Sequence, residues 1–308
     1  MSVAVFEGLR SLLFSVAYRL LGQAADAEDI VQEAWLRYAR AGEDVDDPRA
    51  WLLRVTTRLC LDELRSARVR RELYVGPWLP EPVLTGAAGS AADPFANVAR
   101  RELLSLGAVA LLEKLSPAER AVFVLREALE LSHAEIGRAV GVSEAGSRQL
   151  LARGRRRLAG EPGRRPASGE AQRELVAALL AAFESGDSKP LIARLREDLI
   201  LFSDGGGEVA AALRPVFGRD KVLRFMVGVR GKVATGTRAA IEEVNGEPAL
   251  VLHVDGVPTA VIAVVLDEAG YVVRFLLVNA PRKLDYVRRQ VPHLRDSVTS
   301  QAAISSKG

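Results

Sequence analysis

The segment "SHAEIGRAVGVSEAGSRQLLARGRRRL", residues 132–158, constrains this chain most. Ile136, Ala139 and Val140 recur at helical spacing, so 133–140 is expected as a short helix with one apolar face. Gly141 follows, and glycine takes the left-handed conformation that closes a helix at little cost. Val142 is placed to plug the turn, and Ser143 to cap a second helix. Helix, glycine turn, capped helix is the grammar of a helix-turn-helix. In that geometry the second helix enters the major groove, its first residues facing base edges and its later cations facing phosphates. Glu144, Ser147 and Arg148 are therefore expected at base edges, and Arg153, Arg155 and Arg156 at phosphates. Gly146, Leu150, Leu151 and Leu158 are left for the packed side.

The same grammar extends upstream. Ser116-Pro117-Ala118-Glu119 combines a capping box with proline at the first helical position, so a helix should run from there to about Leu129. An earlier helical pattern covers Asn97 to Leu115. At the N-terminus, Phe6, Leu9, Leu13, Val16 and Leu20 mark a helix over 4–21, ended by Gly22. Asp26 is expected to cap a second helix that carries Glu28 and Asp29 in its first turn. Asp47-Pro48 should open a third, reaching about Glu72, with Trp51, Leu52, Val55, Leu59 and Leu64 on its apolar face. Trp51 reads as core because it shares that face.

Proline and glycine then cluster in "LYVGPWLPEPVLTGAAGSAADP", as expected for a partly stiffened linker. Beyond a second linker near 162–169 the texture changes. One helix is marked by Leu175, Leu179, Leu180 and Phe183. Apolar runs at 199–202, 239–244, 249–254, 259–266 and 271–278 follow, separated by Asn245-Gly246, Asp255-Gly256 and Asp267–Gly270. Those separators are hairpin breakers, so a helix followed by an antiparallel meander is expected. The expected division is 1–73, a linker at 74–97, 98–161, a linker at 162–169, 170–292, and a tail at 293–308.

Composition excludes several functions. The formal net charge is only +3, so a nucleic-acid footprint has to be local, as it is in 148–157. A lone cysteine, Cys60 between two leucines, excludes a disulfide framework and reads as a buried hydrophobe. Three scattered histidines offer no metal-ligand spacing, so neither metal nor cofactor is expected. No stretch approaches the ~18 apolar residues of a membrane span, and a cytoplasmic location with no membrane partner is expected.

Two N-terminal blocks, "DAEDIVQEAWLRYAR" (26–40) and "DPRAWLLRVTTRLCLDELRSARVRRE" (47–72), resemble region 2 of bacterial sigma factors of the extracytoplasmic-function class. Residues 115–158 resemble region 4 of the same class. The resemblance implies a partnership with core RNA polymerase and promoter DNA. Asp26, Glu28, Asp29 and Glu33 would bind the polymerase. Arg49, Arg54, Arg58 and Arg65, with the loop 39–48, would open and read the −10 element. Region 4 would read the −35 element. No catalysis would belong to this chain.

Three further motifs resemble one subgroup, whose C-terminal domain is a SnoaL-like α+β cone. They are Trp78-Leu79-Pro80-Glu81-Pro82, Asp204-Gly205-Gly206-Gly207, and the stretch holding Asn279, Lys283 and Leu284. Glu208 stands where the subgroup carries a basic residue, and Asn279-Ala280-Pro281-Arg282-Lys283-Leu284 is one residue longer than its Asn-Pro-Asp-Lys-Leu. The implied fold is multidomain: an all-α region 2 bundle, an all-α region 4 helix-turn-helix and the α+β cone. The three motifs are expected to regulate activity in cis. The alternative is a SnoaL-type ligand sensor or enzyme joined to a helix-turn-helix, with Asp204, His253, Asp255 and Arg274 as its polar candidates. This leaves room for a small-molecule ligand of the cone. The region 2 blocks weigh against that alternative, since a simple sensor has no use for them.

Overall fold

In the computed structural model, the residues described are 2–41, 45–86, 104–161 and 169–291. They divide into two compact units. The first holds residues 1–73, 94–104 and 108–164, and the second 74–93, 105–107 and 165–308.

The first unit is helical. Helices α1 (Ser2–Leu21), α2 (Ala24–Ala41) and α3 (Pro48–Glu72) pack into a bundle. Leu13, Val16 and Leu20 of α1, Val31, Ala34 and Tyr38 of α2, and Leu52, Cys60 and Leu64 of α3 are all buried. Burial pushes the Cys60 thiol upward, so it stays protonated and behaves as an apolar side chain. Trp51 is half-buried with its ring 5.9 Å from Tyr38, and Phe6 meets Trp35 at 4.9 Å.

Asp26 does not cap α2. Gly22, at φ +70°, ends α1, and the carbonyl of Gln23 already accepts from the Ala27 amide. The helix thus starts two residues before Asp26, whose carboxylate accepts from Gln23 Nε2 at 2.6 Å inside the first turn. Asp47 does cap α3, accepting from the Ala50 amide at 3.0 Å.

Helices α4 (Leu106–Leu112), α5 (Pro117–Glu127), α6 (His133–Val140) and α7 (Glu144–Arg157) follow. The helical pattern expected from Asn97 falls outside the described residues up to 103. Its described end stops at Leu112, where three tight-turn bonds, the last from the Leu115 amide to Leu112, replace the helix. Ser116 and Ser132 both form full capping boxes, with Glu119 and Glu135. Arg120 is buried; its Nη1 donates to the carbonyl of Leu20 at 2.7 Å and to Glu113 at 2.6 Å, which ties α5 to the end of α1.

The second unit is α+β. Helix α8 (Gly169–Ser185) and the single turn α9 (Lys189–Ile192) precede β1 (Leu195–Asp204), β2 (Val216–Phe217) and α10 (Arg219–Arg230). Strands β3 (Arg238–Val244), β4 (Glu247–Val254), β5 (Val257–Leu266) and β6 (Val272–Val278) come next, then a 3-10 turn at Pro281–Leu284 and α11 (Asp285–Gln290). The sheet order is β2-β1-β6-β5-β4-β3. β3 to β6 form the antiparallel meander the breakers foretell, and β1 pairs parallel to β6. Asn245 and Asp255, at φ +56° and +50°, each precede a glycine of positive φ, as a two-residue hairpin turn of this hand requires. Leu175, Val176 and Leu179 of α8 and Val222 of α10 cover one face of the sheet over Leu250, Leu252, Ile262, Phe275 and Leu277.

Candidate nucleic-acid interface and strap anchor

The recognition unit is assembled from caps. Ser132 Oγ and its amide both donate to Glu135 Oε2, at 2.6 and 2.7 Å, and these bonds hold the Glu135 carboxyl below the ordinary carboxylate range. Gly141 sits at φ +82°, and Ser143 Oγ accepts from the Gly146 amide at 3.0 Å. Gly137, which the sequence reading passed over, makes the crossing of the two helices close. A Cβ there would lie 2.7 Å from the Val142 carbonyl oxygen. A glycine inside a short amphipathic helix was the available signal.

The expected contacts on α7 divide. Ser147 is fully buried, and its hydroxyl lies 2.9 Å from His133 Nδ1. The expectation that it reads a base edge is therefore corrected. Residues 147, 150, 151 and 154 follow helical i, i+3, i+4, i+7 spacing, and all four face the interior. Burial, with Arg126 and Arg148 nearby, lowers the His133 pKa, so the ring stays neutral beside that hydroxyl. Glu144 and Arg148 are exposed and paired with each other. Arg153, Arg155 and Arg156 are exposed as well. Arg155 makes two bonds to Glu127 Oε1, at 2.9 and 2.6 Å. Arg153 and Arg157 reach the buried Glu119 carboxylate at 3.7 and 3.4 Å. Burial alone would raise the Glu119 pKa, but the Ser116 bonds and these two arginines lower it. The carboxylates of α5 thus brace the arginines of α7, a second use of the capping residue that its motif does not reveal.

On α3, Arg49, Arg58 and Arg65 are exposed and Arg54 is half-buried. Arg65 pairs with Asp62 at 2.9 Å, and Arg58 Nη2 donates to the carbonyl of Arg138 at 3.2 Å. Arg49, Arg54 and Trp51 line a recess of about 330 Å³ that Glu135 and Arg138 of α6 complete. Of the expected loop, 42–44 lie outside the described residues. On α2, Asp26, Asp29 and Glu33 share one line of the helix and Glu28 is offset from it; Asp29 is exposed and the other three are half-buried. Glu33 pairs with Arg37 at 2.7 Å.

In the second unit the three subgroup motifs converge on Asp204. This residue is fully buried at the end of β1. Its Oδ2 accepts from the Leu79 amide at 2.7 Å and from Lys283 Nζ at 2.6 Å. Its Oδ1 accepts from Tyr74 Oη at 2.6 Å and the Gly206 amide at 3.1 Å. Its carbonyl accepts from the amides of Asn279 and Ala280. Lys283, itself buried, also donates to the carbonyl of Leu79 and stands 4.1 Å from the Trp78 ring centre and 4.8 Å from that of Tyr74. Two aromatic faces and a carboxylate thus replace water around the ammonium. Burial and the Asp204 carboxylate push the Tyr74 phenol upward, so it remains a donor.

The glycines permit close approach. A Cβ on Gly205 would meet Ala211 Cβ and the Val209 carbonyl at 2.7 Å. Gly206 and Gly207 take φ +64° and +75°, against Ala280 and Val75. Pro80, Glu81, Pro82 and Leu284 are buried around the anchor. The two departures from the subgroup pattern meet each other: Glu208 Oε1 lies 3.1 Å from Arg282 Nε.

The proline-bearing stretch is therefore a strap seated on the second unit, and its later part is held by residues to which no motif gave that part. Asn245 Oδ1 accepts from the Val83 amide at 3.0 Å, while the Asn245 amide donates to the Val83 carbonyl at 2.8 Å. Gln290 grips Leu84 at both backbone atoms, accepting at 2.8 Å and donating at 2.9 Å. The Thr85 amide donates to the Glu243 carbonyl at 3.0 Å.

The polar candidates for chemistry in this unit are dispersed. Asp204 is consumed by the strap, His253 Nε2 lies 3.1 Å from Glu242 across β3 and β4, Asp255 is a turn residue, and Arg274 pairs in register with Val265.

Comparison with known proteins agrees with this arrangement. Residues 5–70 match Sigma-70 region 2, and residues 105–158 match Sigma-70, region 4. The chain is 44% identical over 252 residues to the ECF RNA polymerase sigma factor SigJ of Mycobacterium tuberculosis, covering 80% of each. It is 33% identical over 296 residues to a probable ECF RNA polymerase sigma factor, SigI, of the same species, covering 94% of this chain and 96% of that one. The crystal structure of the SigJ protein superposes with a TM-score of 0.74 at 36% identity, covering 92% of this chain and 98% of that one. No helix among the described residues is long and apolar enough to cross a membrane. With a region 2 bundle, a region 4 helix-turn-helix and a sheet-containing C-terminal domain in this order, the chain belongs to the extracytoplasmic-function RNA polymerase sigma factors, the promoter-recognition subunits of transcription initiation.

Proposed function

We propose that the two halves of this sigma factor divide between promoter engagement and control of that engagement. In region 2, Arg49, Arg54, Arg58 and Arg65 meet the −10 element, and Asp26, Asp29 and Glu33, with Glu28 beside them, meet a basic surface of the core polymerase. In region 4, Glu144 and Arg148 face bases of the −35 element, while Arg153, Arg155 and Arg156 face phosphates. The exposure of these cations, all but the half-buried Arg54, and the bracing of Arg155 by Glu127 support that division.

The C-terminal domain acts in cis by holding the strap that joins the two regions. One observation carries this reading: a buried carboxylate, Asp204, bonds simultaneously to the strap at Leu79 and to Lys283 of the C-terminal motif. A charge pair buried at such a junction is costly unless every partner is present, so docking and undocking are cooperative. In vitro transcription with core polymerase tests it, comparing the full chain with a truncation after residue 168 and with Lys283→Met. Promoter output should change in both while binding of a −35 duplex by region 4 persists. Unchanged output in both would remove the regulatory role.

A further inference from the structure

The strap is not the only part of the connection between regions 2 and 4 that belongs to the C-terminal unit. The connection leaves region 2 at the end of α3, Glu72, and enters the strap at Tyr74. Residues 74–86 are then bonded to the second unit along their length, from Tyr74 on Asp204 to Thr85 on Glu243. At Gly86 a Cβ would stand 3.0 Å from Glu243 Cβ, so the strap still lies flush there. Farther on, residues 105–107 again belong to the second unit. Ser105 and Leu106 are buried, and a Cβ on Gly107 would meet Val265 Cγ2 of β5 at 2.8 Å. The C-terminal unit therefore holds the connection at both ends.

The consequence is one of length. An unanchored chain from 73 to 107 reaches at most about 110 Å, at ~3.3–3.6 Å per residue. Fixing 74–86 and 105–107 to one body removes roughly 50 Å of that reach. Along a promoter, each added base pair moves the −35 element about 3.4 Å from the −10 element and rotates it by about 34°. A connection whose two ends are fixed on one body tolerates few such steps.

Building on the regulatory reading above, we infer that the C-terminal unit is a spacing gauge. It sets which separations between −35 and −10 elements this sigma factor accepts, and Asn245 and Gln290 are its positioning residues. Both hold backbone atoms of the strap, so they fix where it lies whatever its side chains. Asn245→Gly keeps the positive φ of the turn and deletes the acceptor of the Val83 amide; Gln290→Leu keeps bulk and deletes the clamp.

The test is in vitro transcription by reconstituted holoenzyme on one promoter whose spacer is varied by up to three base pairs either way. It uses the full chain, the Asn245→Gly/Gln290→Leu variant, and a variant with six Gly/Ser residues inserted after Leu73, between region 2 and the strap. Hydrogen exchange of the Val83–Thr85 amides reports whether the strap is released. The unmodified factor should lose about tenfold or more in output when the spacer is wrong by two base pairs, a displacement of ~7 Å and ~70°. The insertion should flatten that loss to about threefold or less, since a longer connection follows the element, and the double variant should flatten it as far as it frees the strap back to Tyr74. Superimposable spacing profiles overturn the gauge. The insertion needs no anchor to break, so an unchanged profile there overturns it even if the double variant keeps the strap docked. If the profiles superimpose while Lys283→Met still alters total output, the gauge fails and cis regulation stands. If neither moves, both fail.

Discussion

Lys283 Nζ lies 2.6 Å from Asp204 Oδ2, and both side chains are buried, at 8% and 0% exposure. Breaking such a pair from one side strands the other charge. Lys283→Met should therefore destabilise the C-terminal unit by about 3–5 kcal/mol. Asp204→Asn combined with Lys283→Met leaves no bare charge and should recover part of the loss. Denaturant unfolding of the full chain, followed through Trp78 beside the ammonium, measures both. Equal stability of single and double variants would mean that the ion pair contributes little there.

The pair between Glu208 and Arg282 is of another kind, because Arg282 is 85% exposed at its side chain. Its contribution is expected below about 1 kcal/mol. Its interest is sign: the chain carries an acid after the glycines, and the base lies across from it. Glu208→Arg sets two cations together and should loosen the Asp204 turn slightly; Glu208→Arg with Arg282→Glu should restore it. A double-mutant cycle on unfolding midpoints, run at low and high salt, reads the coupling and its screening.

On α7, the buried Ser147 and the exposed Arg156 should part company. Ser147→Ala leaves His133 Nδ1 without its partner and should cost about 1 kcal/mol of region 4 stability, without changing base preference. Arg156→Ala should weaken −35 duplex binding evenly across sequences and lower the salt slope of log K by about 1. Binding isotherms at several salt concentrations distinguish the two; a base-specific effect of Ser147→Ala would return it to the groove.

These contrasts mark what a sequence discloses. Caps and turns are local, and Ser116, Gly141, Ser143, Asp47 and the Asn245-Gly246 hairpin were all legible from their own neighbourhoods. The meander was legible for the same reason. Asp204 could be singled out by its glycines, but not its partners: Tyr74 and Leu79 lie more than a hundred residues away, and a glycine motif does not say what approaches it. Gln290 gave no signal, since it binds backbone and sits in no recurring pattern. Ser147 was misplaced because a hydroxyl near a helix start suits either a base edge or a buried partner, and only packing decides between them. Asp26 failed as a cap because the preceding turn at Gly22 let the helix begin sooner.

Gly137 offers a direct test of the helix-turn-helix crossing. Adding one methyl places it 2.7 Å from the Val142 carbonyl oxygen, which is backbone and cannot swing aside. Gly137→Ala should then cost about 1–3 kcal/mol by overpacking, despite alanine being the better helix former. The −35 affinity should fall with it because the recognition helix is displaced. Thermal unfolding and duplex binding report the two effects; a stabilised variant would mean that the turn can open without loss.

Glu247, at the start of β4, supplies a pH test. Burial raises its pKa to about 7, although Gln172 Nε2, 3.0 Å away, favours the charged form and acts against that rise. A carboxyl whose folded pKa lies above its unfolded one binds its proton more tightly when folded. Its contribution to stability is therefore full below about pH 4.5 and is lost as pH rises to about 7. The loss should be of order 2 kcal/mol, less than full linkage would give, because the side chain keeps some contact with water. Glu247→Gln stays neutral and still offers Gln172 an acceptor, so it should match the parent near pH 5 and exceed it near pH 8. Denaturant unfolding of both proteins across that range measures the difference. Parallel stability curves would place the Glu247 carboxylate in water after all, and would shift the cost of this corner of the sheet to its neighbours.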